Sequence, residues 1–477
     1  MIADTYRELK SVAAEFLFME KMIYMDWTCL LKAMYKKIVP LFIKKVLWRE
    51  IAKIIHRARF HYDLHRIPAK EVYGIVTVKK NNLSITEQKL DKVIVCWLPV
   101  WIVGHFCTVY HYAYQMYLKR PSNRVFYVIV PDTMKSAVGQ GVPNQYLYNK
   151  FTEILPSGIN PETGWREYTQ KHLSDIELLD VYDTDKFYFN AAKQYFAGTW
   201  GELSIPFDQP SVIFSHEEKL GGQEKMSELG IRESFICIFA RDSAYHSEKK
   251  DAPNQLRNFD IETFREVTEY FSTHYHMQTV RMGAKVDKTF SCSGCVDYAT
   301  IGRSEFMDAY LFSRCEFYLG SSSGIECIAR LFAKPIVGVD FSCVLPIDEP
   351  TMPYHLFIFV KWYDEKKQHY LTLREIIRLQ LELKLRNPDE HGLIAFMNYV
   401  TTHDITVVRS TAQEILDVAE EMYAILQGSV QYTKEDEVLQ QKYRRIIYEA
   451  TKEHKNITGN FGRVGARWLR ENAWFLE

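Results

Sequence analysis

The sequence predicts an α/β protein built on parallel sheets, with a helical amino-terminal extension and a largely helical carboxyl-terminal part. Three stretches lead to that reading. The first runs from Cys315 to Phe341, CEFYLGSSSGIECIARLFAKPIVGVDF. Its apolar run Phe317 to Leu319 suits a buried strand, Gly320, Ser321, Ser322, Ser323 and Gly324 break it, and Ile325, Ile328, Ala329 and Phe332 then recur at helical spacing. Ser322 or Ser323 is expected to cap that helix, Lys334-Pro335 to stop it, and Ile336 to Val339 to form the next parallel strand. The second stretch predicts a strand from Val93 to Leu98, a loop from Pro99 to Gly104, a helix from His105 to Leu118 and a strand from Val125 to Val130, a βαβ unit. In the third, Phe235 to Ala240 runs straight into Arg241, Asp242 and Ser243, and Thr279 to Met282 ends in Gly283. Strands that end in polar or small residues present a carboxyl edge, where open parallel sheets bind ligands.

Length and composition bound the function. The 477 residues are 47% hydrophobic and 25% charged, an ordinary globular balance with room for two or three domains. A net charge of −1 argues against nucleic acid as a partner. Nine cysteines scattered through a long chain suggest a reducing compartment, and Cys292-Ser-Gly-Cys295, without a second pair, reads as two thiols in a Gly/Ser loop. The sequons at Asn82 and Asn456 are expected to be unused, since no signal peptide is read ahead of them.

Charge is concentrated near the amino terminus. Between Lys32 and Arg66 ten Lys/Arg stand against Glu50 and Asp63, so this segment carries +8 and the rest of the chain −9. Trp48 and aliphatic residues interleave with the basic ones, which suits an interfacial helix on an anionic membrane; a solvated face of a core-packed helix suits it too. From Val93 to Leu118 there are 26 residues without Asp, Glu, Lys or Arg. That is long enough to span a bilayer, but Pro99, Gly104 and the polar aromatic residues argue for a buried unit instead.

Further on, Gly201, Pro206, Pro210, Gly221 and Gly222 surround a short expected strand from Val212 to Phe214 and suggest a domain boundary. Asp260 is expected to cap a helix, and helical patterns run from 372 to 385, 411 to 426, 434 to 453 and 463 to 474. The serine turn has the small residues, hydroxyls and amides that hold an anion such as a pyrophosphate, although it is neither a P-loop nor a GxGxxG fingerprint. An ordinary βα turn fits the same residues. Arg241, Arg257, Asn258, Arg281 and Gly283 are expected to converge with Ser321, Ser322, Ser323 and Gly324 on one sheet edge, with Glu326 reaching a ribose or favouring the helix dipole. Asp183-Thr-Asp185 is a DxD of little weight.

Five spaced motifs, FARDSAYH (239 to 246), LRNFD (256 to 260), VRMG (280 to 283), YLGSSSGIECIARLFAKPIV (318 to 337) and VGHF (103 to 106), together resemble a family of surface-polysaccharide glycosyltransferases of GT-B type. AQEI near Ala412 and the closing Trp474-Phe475-Leu476 add to it, and the resemblance runs from about residue 90 to the carboxyl terminus. It implies two Rossmann-like domains facing across a cleft, an acceptor domain at 91–205 and a nucleotide-sugar domain at 206–450, with a last helix at 451–477 of the kind that crosses back; the basic helical extension at 1–90 lies outside the resemblance. The activity implied is transfer from a nucleotide-diphosphate sugar, as substrate and with no separate cofactor or metal, to a cell-surface or lipid-linked glycan in the cytoplasm. A nucleotide-sugar epimerase of the same fold, or a non-catalytic glycan-binding protein, remains an alternative. An inverting transfer needs a base; an imidazole, which titrates near pH 6.5 when unperturbed, suits that role. His105, beside Gly104 in the acceptor domain, is the expected base and Asp242 the alternative.

Overall fold

The computed structural model describes residues 92–97, 103–104, 106–108, 110–111, 124–129, 135–136, 139–140, 142–154, 157–158, 176–179, 209–244, 255–342, 355–386, 392–451 and 462–477. The basic segment, His105 and the DxD lie outside them.

The amino-terminal part forms a four-stranded parallel sheet from β1 (Lys92–Trp97), β2 (Arg124–Ile129), β5 (Ser157–Gly158) and β6 (Ile176–Leu179), in the order β5-β2-β1-β6. A two-stranded antiparallel ribbon, β3 (Lys135–Ser136) with β4 (Gly139–Gln140), precedes α1 (Gln145–Ile154). The expected βαβ unit is present, with one correction: Val103 and Gly104 are already helical, so the loop after β1 is shorter than Pro99 and Gly104 suggested.

After α2 (His216–Glu228) the chain builds a second parallel sheet of seven strands: β7 (Phe235–Phe239), β8 (Gln278–Arg281), β9 (Cys295–Val296), β10 (Tyr318–Ser321), β11 (Ile336–Phe341), β12 (Leu356–Phe359) and, much later, β16 (Arg463–Val464). The order is β16-β12-β11-β10-β7-β8-β9. β7 shows why such a run reads as an interior strand. Ile236 and Ile238 enter one buried cluster, Phe235, Cys237 and Phe239 the other, so both faces are covered and no polar residue interrupts the run. One cover holds α3 (Arg265–His274), α8 (Ala412–Leu426), α9 (Lys434–Thr451) and α10 (Ala466–Glu471); the other holds α4 (Glu305–Arg314), α5 (Glu326–Leu331) and the helical residues Phe106, Cys107 and Tyr110. A mixed α/β architecture is therefore correct.

Several local expectations give way. Val212 to Phe214 is not a strand; it leads into Ser215, which caps α2 through a capping box with Glu218, and Gly221 and Gly222 lie inside that helix. Cys295 is in β9 rather than a loop. The chain after Asp348 is not simply helical: besides β12, a three-stranded antiparallel sheet forms from β13 (Lys361–Asp364), β14 (His369–Tyr370) and β15 (Ile405–Val408), flanking α6 (Leu373–Arg386) and α7 (Gly392–Thr402). The AQEI motif begins α8. Its Glu414 completes a capping box with Thr411 and meets Lys361 at 2.7 Å, and Ile415 is in the core. The closing aromatics fold as a 3₁₀ turn, Ala473–Leu476, with Phe475 stacked on Phe359 of β12. Among the described residues no helix is long and apolar enough to cross a membrane.

Candidate functional site

The order of the strands locates the site. From β7 the sheet grows through β8 to β9 on one side, and then restarts with β10, β11 and β12 on the other. At such a switch point the connections leave in opposite directions and open a crevice at the carboxyl edge. Here the switch point falls between β7 and β10, whose carboxyl ends lead to Arg241 and Ser321. The Arg241 amide donates to Ser321 Oγ at 2.8 Å, and the Arg241 carbonyl accepts from Phe259 at 2.7 Å. Arg241 Nη1 then meets Asn258 Oδ1 at 2.5 Å, while Arg257 Nη2 donates to the Ser322 carbonyl at 3.1 Å. Five of the expected contributors, Arg241, Arg257, Asn258, Ser321 and Ser322, are thus joined by hydrogen bonds. Asp260 caps the following 3₁₀ turn as predicted, accepting from the Glu262 amide.

The serine turn is built differently from the expectation. α5 starts at Glu326, with Ile325 as its N-cap and no side-chain cap. Ser321 is buried under Arg241, and the first helical amides are taken by backbone carbonyls, Glu326 N to Ser323 O and Cys327 N to Gly324 O. The cap is therefore a tight turn and not a serine hydroxyl. Among the described residues, the amides of Ser323, Gly324 and Ile325 make no backbone hydrogen bond, and all three residues are partly exposed. These are donors that an anion satisfies. The six-residue α5 adds little dipole. Glu326 is 3% exposed and pairs with Arg330 at 3.1 Å along the same helix.

Gly104 reaches this turn from the other sheet. A Cβ on Gly104 would lie 2.7 Å from Gly324 Cα, and one on Gly324 would lie 2.9 Å from Gly104 Cα and N. Only glycine at both positions allows the two backbones to touch. The helical residues after Gly104 are anchored in the same core: Phe106, Cys107 and Tyr110 are fully buried, and Thr108 Oγ1 donates to Cys327 Sγ at 3.4 Å. His111 Nδ1 is 2.6 Å from Ser211 Oγ, whose own hydroxyl donates to Leu331 O. That Ser-His contact is a structural joint. Burial, aided by Arg330, pushes the His111 imidazole down to about 3, so it is neutral.

Other expected members are placed elsewhere. Arg281 is 1% exposed and committed to the Lys288 carbonyl at 2.6 Å and to Asp297 at 3.3 Å, which closes the loop after β8. No contact joins it to the serine turn among the described residues. Gly283, at φ +152° and with Val286 Cγ1 2.8 Å from where a Cβ would stand, serves that same loop. Asp242 accepts the Ala244 amide on one carboxylate oxygen and the Asp287 amide on the other, while Ser243 donates to Asp287. It is a clasp between two loops, with both oxygens engaged. Burial pushes the Cys292 thiol up to about 11 and that of Cys295 up to about 12, so neither is a ready thiolate.

Neither Asp340 nor Arg409 stands out in the sequence, yet both lie beside the LRNFD segment. Asp340 is the penultimate residue of β11 and pairs with Arg409, which follows β15 and donates to the Leu256 carbonyl at 2.5 Å. A separation of 153 residues hides such a contact from any reading of spacing.

No protein-family model and no curated protein matches the chain. Among solved structures, the glycosyl transferase family 9 protein from Veillonella parvula DSM 2008 is similar over 72% of this chain and 99% of its own, at 12% identity and a TM-score of 0.42. The dodecameric iron-containing heptosyltransferase TibC, solved with ADP-D-beta-D-heptose, is similar over 70% of this chain and 77% of its own, at 11% identity and a TM-score of 0.34.

Proposed function

We propose that this chain is a glycosyltransferase that moves a sugar from a nucleotide-diphosphate donor to a cell-surface or lipid-linked glycan. The observation that carries the reading is the switch point itself, where two arginines and a tight Gly/Ser turn with unengaged amides gather outside adjacent strands β7 and β10. A diphosphate leaving group develops charge on its oxygens as the anomeric bond breaks. Guanidinium forks and fixed backbone amides are suited to stabilise it, and on this reading they do so in place of a metal. An arginine has five N–H donors, enough to hold both a neighbouring carbonyl and a phosphate oxygen.

The finer architecture belongs to the same proposal. β1 is the switch strand of the four-stranded sheet, as β7 and β10 flank that of the seven-stranded one. The Gly104–Gly324 contact brings the segments that follow β1 and β10 together, which supports a GT-B-like pairing of two parallel domains edge to edge. The acceptor then enters beside Gly104, where its neighbour His105 takes the hydroxyl proton. The basic segment 32 to 66 holds the enzyme on the inner face of the cytoplasmic membrane, next to a lipid-linked acceptor.

The test is incubation of the purified chain with a panel of nucleotide-sugars, alone and with lipid-linked acceptors. Donor-dependent labelling of acceptor is expected, and Arg241→Ala should weaken donor binding about tenfold to a hundredfold. Absence of any nucleotide-sugar binding overturns the reading. Donor conversion without acceptor selects the epimerase, and glycan binding that survives Arg241→Ala selects a non-catalytic protein.

A further inference from the structure

We infer that Asp340 and Arg409 form a latch that positions the phosphate-facing segment Leu256 to Asn258 against the serine turn. Asp340 lies at the end of β11, the strand beside β10, in a left-handed conformation with φ 50°. Its carboxylate is almost wholly buried and engaged on both oxygens. Oδ1 accepts from the Ser410 amide at 2.8 Å and the Ser410 hydroxyl at 2.6 Å, and Oδ2 accepts from Arg409 Nη1 at 3.1 Å. The second arm of the same guanidinium, Nη2, donates to the Leu256 carbonyl at 2.5 Å. The next residue, Arg257, reaches the Ser322 carbonyl, and the one after it, Asn258, receives Arg241.

The geometry reads as one relay. Asp340 aims the guanidinium, the guanidinium fixes the Leu256 peptide, and that peptide sets where Arg257 and Asn258 stand. A planar fork can serve two acceptors in fixed directions, which a lysine ammonium cannot do with the same rigidity. Ser410 also ties the latch to the start of α8, capped at Thr411, so the aiming group rests on a long, core-packed helix. Arg409 is a positioning residue: it acts through Leu256 and needs no contact with substrate.

The ligand side of this inference rests on the proposed donor site, but the latch itself does not, and the experiment separates the two. Amide hydrogen exchange is measured on the full chain for wild type, Arg409→Ala, Arg409→Lys and Asp340→Asn, and each protein is titrated with UDP, ADP and GDP. Asparagine tolerates the left-handed backbone at 340 and keeps an oxygen for Ser410, so that variant removes the charge while preserving the fold. Arg409→Ala is expected to speed exchange at Asn258 and Phe259 about tenfold to a hundredfold, with α9 amides unchanged. Asp340→Asn should follow it in the same direction, and Arg409→Lys should fall between wild type and Arg409→Ala. Any nucleotide that binds wild type should bind Arg409→Ala about tenfold or more weakly, measured at a temperature below the unfolding transition of both proteins. Unchanged exchange at Asn258 and Phe259 overturns the latch, whatever binds. Faster exchange with unchanged nucleotide affinity overturns its positioning role. If wild type binds none of the three nucleotides, the donor-site reading and the positioning role fall together, and the exchange data alone still decide the latch.

Discussion

The contact between Gly104 and Gly324 makes a prediction about stability that is independent of any ligand. Neither glycine holds a left-handed φ, so alanine at either position is resisted by space alone. The alanine Cβ at 324 would sit 2.9 Å from Gly104 Cα and N, and the one at 104 would sit 2.7 Å from Gly324 Cα. Carbon atoms in ordinary contact stand about 3.5–4.0 Å apart, so one backbone must retreat by roughly 0.5–1 Å. No rotamer relieves the clash, because both partners are main chain. The helical residues behind Gly104 cannot simply slide, since Phe106, Cys107 and Tyr110 are fully enclosed. Overpacking of this kind costs about 1–3 kcal/mol. Gly104→Ala, Gly324→Ala and the double variant should be unfolded in urea, with Gly221→Ala as control. Gly221 is exposed inside α2 with nothing within 4 Å of a new Cβ, and its replacement should stabilise by roughly 0.5–1 kcal/mol. Each site variant should lose about 1–3 kcal/mol, and the double should depart from additivity by at least about 0.5 kcal/mol, because both changes open the same gap. Two site variants as stable as wild type, or a double that is additive within about 0.3 kcal/mol, would refute the contact.

Four further outcomes are expected. Burial raises the Asp308 carboxyl from 3.8 to about 6 despite Arg303 and Tyr298, so the stability it contributes is full below pH 4 and is lost as pH rises through 6; at about two pH units this is roughly 3 kcal/mol. Asp308→Asn should remove that fall from a urea-denaturation series between pH 4 and 7, and a wild-type-like slope in the variant counts against it; His111, neutral when folded, works oppositely by losing stability as pH drops from 6.5 toward 3, and is common to both proteins. Glu326→Gln removes the carboxylate paired with buried Arg330 and should cost about 3–5 kcal/mol in the same assay, with an additional Arg330→Met change recovering much of it. His105→Ala should abolish turnover while donor binding persists, whereas Asp242→Asn, which only loosens the loop clasp, should keep turnover within about tenfold; normal turnover by His105→Ala ends its assignment as base. Deleting residues 1–66 should move the protein from pellet to supernatant with anionic vesicles, and a full-length chain that never pellets removes the membrane role.

What the sequence determined by itself is local. A run such as FICIF has only one comfortable environment, a strand covered on both sides, and the small residues up to Gly324 followed by apolar residues at helical spacing mark a βα turn, although β10 runs on through Gly320 and Ser321, past the break expected at Gly320. The AQEI and LRNFD motifs were equally legible as helix starts, because capping is decided within four residues. The two-residue β16 carries no such signal; it exists because β12 offers it an edge. Which strands become neighbours is also a long-range matter, and it is the pairing of β10 with β7 that set Arg241 beside Ser321 and made the turn a candidate site. The three arginines were alike in the sequence, each close after a strand or turn, and only packing separated them: Arg281 was enclosed with Asp297, Arg257 was directed to the serine turn, and Arg241 to Asn258 beside it. Glu326 was likewise turned inward by Arg330, four residues on, once α5 was pressed against the sheet. Contacts made across more than a hundred residues, such as Gly104 on Gly324 or Arg409 on Leu256, are energetically as short-ranged as any other, but the chain must fold before the partners are near enough to choose one another.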